Sequence, residues 1–175
     1  MTLNMNMNMD LSSEDLINGL TLRNAIHAYS QERNQEHFID ILVILQNCNV
    51  WIPCNMIMGD MDYSYMEHLV NQALQKDDLN SLIGKEFTNK DVIRMVPDIL
   101  TNDGKYFFPV FSRPDEMGKY GMQFSKVRRH FPDVITMAMN NEKDVSGIVV
   151  NAFTMPFILD RRFFEICQNM YSSLK

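Results

Sequence analysis

Two dense apolar runs dominate the hydrophobic pattern, Lys105-Tyr-Phe-Phe-Pro-Val-Phe-Ser112 and Gly147-Ile-Val-Val-Asn-Ala-Phe153. Neither alternates with polar residues, so both predict strands covered on two faces. Asp103-Gly104 stands just before the first run, and Asp-Gly between apolar stretches signals a two-residue hairpin turn. The pattern therefore predicts a central hairpin, with Val92–Val96 going out and Lys105–Phe111 returning. Pro109 has no N–H to give the ladder, which predicts a bulge or one-sided pairing at that point.

Around these runs the period changes to that of helices. Leu22, Ala25, Ile26 and Tyr29 share one face, and Phe38, Ile41, Leu42 and Leu45 repeat the spacing after Asn34, a good N-cap. Asn49–Pro53 reads as a short strand ended by proline. Ser64 with Glu67 forms a capping box ahead of a helix bearing Met66, Leu69, Val70, Ala73 and Leu74. Ser112 predicts the cap of a short helix closed by Gly121, and Met122–Val127 alternates like a strand. Pro132 opens a helix facing inward through Ile135, Ala138 and Met139. Phe157–Leu159 is a last strand, and Asp160 caps a final helix with Phe163, Ile166, Cys167 and Met170. The expected fold is α+β: a single domain with a mixed sheet of about five strands, a central hairpin and packed helices. Residues 1–18 read as a disordered or weakly ordered leader and residues 19–175 as the domain.

Charge and composition narrow the function classes. The net charge is −6 with a pI of about 5.1, which argues against general nucleic-acid binding. Lys126, Arg128, Arg129 and His130, and the pair Arg161 and Arg162, read as solvated surface. No apolar run reaches membrane-spanning length, and the N-terminus lacks the basic start and greasy middle of a secretory signal, so a cytoplasmic protein is expected. Cys48, Cys54 and Cys167 are odd in number and contain no Cys-x-x-Cys, which fits reduced thiols. Asp60, Asp62 and Ser64 echo a calcium loop, but Tyr65 stands where that loop needs glycine. His27, His37, His68 and His130 lie on different elements. The expectation is no metal, no cofactor and no catalytic residue; a pair such as Cys54 with His68 would need the fold to build it. The 15 methionines read mainly as core filler, with Met66, Met95, Met139 and Met170 at core positions outside the leader.

Trp51-Ile-Pro53, Phe108-Pro-Val-Phe-Ser112 and Gly147-Ile-Val-Val-Asn-Ala-Phe153 follow one another between a helical start and a terminal helix. In that order they resemble the N-terminal domain of the enhanced-serine-sensitivity (SseB) family, from about Leu22 to Met170. Ser112-Arg113 stands where that family has Thr-Ser, and Asn151-Ala-Phe-Thr154 where it has Asn-Pro-Phe-Gly. A tryptophan of the family's short helix falls near Tyr120. The resemblance implies the fold and brings no reaction or cofactor with it. The expected role is a non-catalytic protein-interaction or regulatory module, engaging a protein partner or a second copy of itself. Its expected binding residues are Ser112, Arg113, Asn151 and Phe153, where both motifs end. Arg113 would attract an acidic partner and Phe153 would anchor it, with Ser112 and Asn151 otherwise serving as caps. The competing expectation is an enzyme, hydrolase or transferase, or a small-ligand sensor, with a cleft near Ser112 and Asn151.

Overall fold

The computed structural model describes residues 19–83 and 93–173; the leader and Val92 lie outside them. Helices α1 (Leu20–Gln31) and α2 (Gln35–Asn47) open the fold. Strands β1 (Asn49–Ile57), β2 (Arg94–Pro97), β3 (Leu100–Asn102), β4 (Lys105–Val110), β5 (Ser125–His130), β6 (Gly147–Val150) and β7 (Phe157–Asp160) follow. Helix α3 (Asp60–Gln75) lies between β1 and β2, α4 (Phe131–Met139) between β5 and β6, and α5 (Phe164–Ser173) closes the chain. The fold is α+β, as its pattern predicts. Its strands divide into two sheets, ordered β2-β1-β5 and β3-β4-β6-β7. The chain forms two compact units, one from residues up to Pro53 and from Asp98 onward, the other from Cys54–Pro97.

The two predicted opening helices form as expected. Asn34 Oδ1 accepts the His37 N–H at 2.8 Å, and Leu22, Ile26, Ile41 and Leu45 are buried. The β3-β4-β6-β7 sheet is the core of the larger unit. Strand β6 runs parallel to β4 and antiparallel to β7, and its four residues are all buried. That burial on both faces is why Ile148-Val-Val150 carries no polar alternation. Gly147 is needed there, because a Cβ would lie 2.6 Å from the Leu159 carbonyl oxygen.

The Asp103-Gly104 turn forms with φ of 48° and 72°, the positive pair a type I′ hairpin requires. Its outgoing strand differs from the expectation. Leu100–Asn102 pairs with Lys105–Phe107, whereas Arg94–Pro97 pairs with the end of β1, Cys54 opposite Pro97 and Ile57 opposite Arg94. The turn sets the register but not the length of the hairpin, and Asp98 leaves the run by donating its N–H to the Pro53 carbonyl at 2.9 Å. Pro109 pairs on one side only. Phe111 directs its N–H and C=O to Trp51, both at 2.8 Å, and Pro109, two residues earlier, faces the same way. Strand β3 has already ended at Leu100 opposite Phe107, so no donor is missed.

Other boundaries shift. Helix α3 starts at Gly59-Asp60 with Asp60 and Asp62 in its first turn, where carboxylates suit the helix dipole; Ser64 is inside the helix and caps nothing. The Ser112 helix is instead two 3-10 turns, Pro114–Met117 and Tyr120–Gln123, with Gly118 (φ 53°) between them. The alternating strand begins at Ser125 rather than Met122, and Asp160 caps the 3-10 turn Arg161–Phe163 that leads into α5. Lys126, Arg128 and Arg129 are exposed on β5, an outer strand of its sheet, where charge discourages edge-to-edge pairing. Met95 is exposed on β2, contrary to the core expectation, while Met117 is buried.

Candidate functional site

Because β4 and β6 are parallel, their C-terminal ends leave the sheet together. Val110 pairs with Val150, and Ser112 and Asn151 therefore meet just beyond. Asn151 has φ of 51°, a left-handed conformation that asparagine tolerates better than most residues. Its N–H donates to the Val110 carbonyl at 2.9 Å. Its amide oxygen accepts from the Ser112 N–H at 2.9 Å and from the Ser112 hydroxyl at 3.2 Å. Its Nδ2 donates back to Ser112 Oγ at 3.0 Å. Both side chains are buried, Ser112 completely. Asn151 begins a turn as expected, its carbonyl accepting the Thr154 N–H at 3.2 Å. Ser112 does not cap a helix: its hydroxyl points to Asn151, and the following 3-10 turn has no side-chain cap.

The start of α1 docks on this same place. Gly19 (φ 67°) lies so close that a Cβ would be 2.2 Å from the Ser112 carbonyl oxygen. Arg23 Nε meets Glu116 Oε1 at 2.8 Å, and the Thr154 hydroxyl donates to the other oxygen of Glu116. Glu116 is buried and thus bonded from both α1 and the Asn151 turn. Gly19, Arg23, Glu116 and Thr154 belong to the site, and sequence reasoning missed them. They stand far apart in the chain and share no spacing that would link them.

Phe153 and Arg113 point the other way, outward. Phe153 is 51% exposed. It stacks on Phe111 with centroids 5.9 Å apart and planes at 22°, and packs on Tyr120 at 4.8 Å. Tyr120 continues to Phe124 at 4.9 Å, and its hydroxyl donates to Asp98 Oδ2 at 2.5 Å. Burial, then the Asp98 hydrogen bond and charge, push the Tyr120 phenol above its usual range, so it remains a donor. The result is a rigid aromatic shelf. Arg113 is ion-paired with Asp115 at 2.9 Å, both partly exposed. Such a pair leaves little net charge to draw an acidic partner.

No family model, curated protein or solved structure matches this chain. The chemistry of the site therefore rests on its residues. The Ser112 hydroxyl is engaged on both sides by an amide that cannot act as a base. Burial pushes the Cys48 thiol up to about 12 and the Cys167 thiol up to about 11, the opposite of an activated nucleophile. Cys54 is buried, and His68 is exposed on α3 beside Gln72, 3.0 Å away. Among the described residues no group of three His, Cys, Asp or Glu side chains gathers as metal ligands, and no helix is long and apolar enough to cross a membrane. What the sheet end offers is a flat apolar ring face on a fixed support.

Proposed function

We propose that this chain is a non-catalytic protein-interaction or regulatory module of the SseB-like type, presenting the Phe153 shelf to its partner. The observation that carries the reading is the half-exposed phenyl ring held on Phe111 and Tyr120. An aromatic anchor already fixed in place loses little freedom on binding, and such residues dominate interfaces. The four residues expected to bind divide their work. Ser112 and Asn151 fix the two strand ends, while Phe153 and Arg113 face the partner. The pairing of the two motif-bearing strands in one sheet supports the family resemblance. Three thiols, none in a disulfide, suit a reducing compartment, and we place the protein in the cytoplasm. The alternative of an enzyme or ligand sensor at Ser112 and Asn151 needs these buried groups to open, and nothing favours that.

The test is affinity capture with three baits: the parent chain, Phe153→Glu, and Ile158→Glu as a control at an exposed position of β7. A protein held by the parent and the control but lost by Phe153→Glu supports the reading. Recovery of the chain itself in that pattern identifies self-association. Identical captures on all three baits overturn it.

A further inference from the structure

The aromatic shelf has a charged rim. Lys119 immediately precedes Tyr120, at the start of the 3-10 turn Tyr120–Gln123. Lys126, on β5, lays its stem along the same turn: a Cβ placed on Gly121 would be 3.4 Å from Lys126 Cε. Arg128 stands two residues further along that strand and so projects to the side of Lys126. All three side chains are exposed. Among the described residues none of the three joins an ion pair.

The carboxylates that flank the shelf are already engaged. Asp115 pairs with Arg113 at 2.9 Å, and Glu116 pairs with Arg23 at 2.8 Å. Asp98 is turned to the Tyr120 hydroxyl. Lys119, Lys126 and Arg128 therefore stand against the single charge of Asp98. The rim is positive on a chain whose net charge is −6. The apolar part of the surface also extends beyond Phe153. Met122 shares the turn of Tyr120 and is 82% exposed, the most exposed large apolar side chain among the described residues. Its flexible thioether gives an adaptable contact beside a fixed ring.

We propose that the shelf binds an acidic peptide segment carrying an aromatic or aliphatic residue between its carboxylates. The inference rests on the shelf being the interaction surface and names the chemistry of its partner. The apolar residue lies on the Phe153 ring and against Met122, and the carboxylates meet Lys119, Lys126 and Arg128. The Arg128 guanidinium offers a carboxylate two parallel N–H donors, and the lysines act as point charges. A cationic segment meets three like charges and is rejected. Nucleic acid needs phosphate contacts in a row and is repelled by a chain that is negative overall. A short acidic segment needs only the rim.

The experiment is a titration of the whole isotope-labelled chain with capped synthetic peptides at low salt, followed by backbone amide shifts. The first peptide, Gly-Asp-Glu-Phe-Asp-Glu-Gly, has the proposed chemistry. The second carries Asn and Gln in place of the acids, and the third carries Ala in place of Phe. Oligothymidylate in a fourth arm supplies phosphate charge and bases. Saturable shifts at residues 119–124 and 153–154 are expected with the first peptide, and affinities about tenfold lower with the second and third. Lys119→Ser with Lys126→Ser weakens the first peptide about tenfold and leaves the second unchanged. Equal binding of the first two peptides, lost in Phe153→Ala, overturns the acidic chemistry and keeps the shelf as the surface. Binding of the first peptide that Phe153→Ala leaves unchanged overturns both. Shifts that stay linear, or tighter binding of oligothymidylate at the same salt, overturn the proposal, while capture on the Phe153 baits still decides the shelf.

Discussion

Asn151 holds Ser112 with both atoms of its amide, at 2.9 and 3.2 Å through the oxygen and 3.0 Å through the nitrogen. The bonds join the exits of two strands 39 residues apart in sequence. The residue doing so sits at φ of 51°. Conformation and bonding can be separated by mutation. Asn151→Ala removes the amide and places a Cβ in a left-handed backbone, and should cost about 3 kcal/mol. Asn151→Gly removes only the amide bonds and should cost about 1 kcal/mol less. Denaturant titration reads both; equal and small losses, under about 0.5 kcal/mol, would show that the bonds hold nothing.

Tyr120→Phe removes the donor to Asp98 and leaves the ring stacking in place. A partly buried carboxylate then lacks its partner, and a loss of about 1–3 kcal/mol is expected. Thermal melting checks this, and an unchanged melting temperature would mean that water replaces the phenol without loss.

Asp40 gives a pH signature. Burial first, then the charge of Glu36, hold its folded carboxyl above the ordinary value, so between the two values the folded chain binds more protons than the unfolded one. Stability contributed by this group therefore falls as pH rises through that window. Asp40→Asn should melt higher than the parent near pH 7, and the difference should vanish at about pH 3, where the carboxyl is protonated in both states. A difference that grows toward acid would reverse the assignment.

The thiols should be inert. Cys48 and Cys167 are buried with raised values, and Cys54 is buried. A thiol-specific chromogenic reagent at neutral pH should react only as fast as the chain opens, with all three sites released together in denaturant. Rapid modification of one cysteine in the native protein would contradict this.

Much of the fold was legible where a signal is local. The unalternated Ile148-Val-Val150, the Asp103-Gly104 turn and the Asn34 cap each encode their structure within a few residues. The pairing of Arg94–Pro97 was not legible, because strand pairing is non-local and any apolar strand near a turn competes for the same edge. The site was legible in position but not in role. A serine and an asparagine after two strands look like caps, and only the parallel pairing of β4 and β6 shows that they face each other. The Arg23–Glu116–Thr154 chain depends on α1 returning to the sheet end, which no periodicity encodes.

Hydrogen–deuterium exchange is the sharpest test of the proposed Phe153 interaction surface. The exchange of the chain is compared with and without its captured partner or, for self-association, at high and low concentration. Slowed exchange is expected at Tyr120–Phe124 and Asn151–Thr154, abolished by Phe153→Glu in a chain that still melts within about 5 °C of the parent. Protection confined to other segments, with Phe153→Glu as competent as the parent, would contradict it.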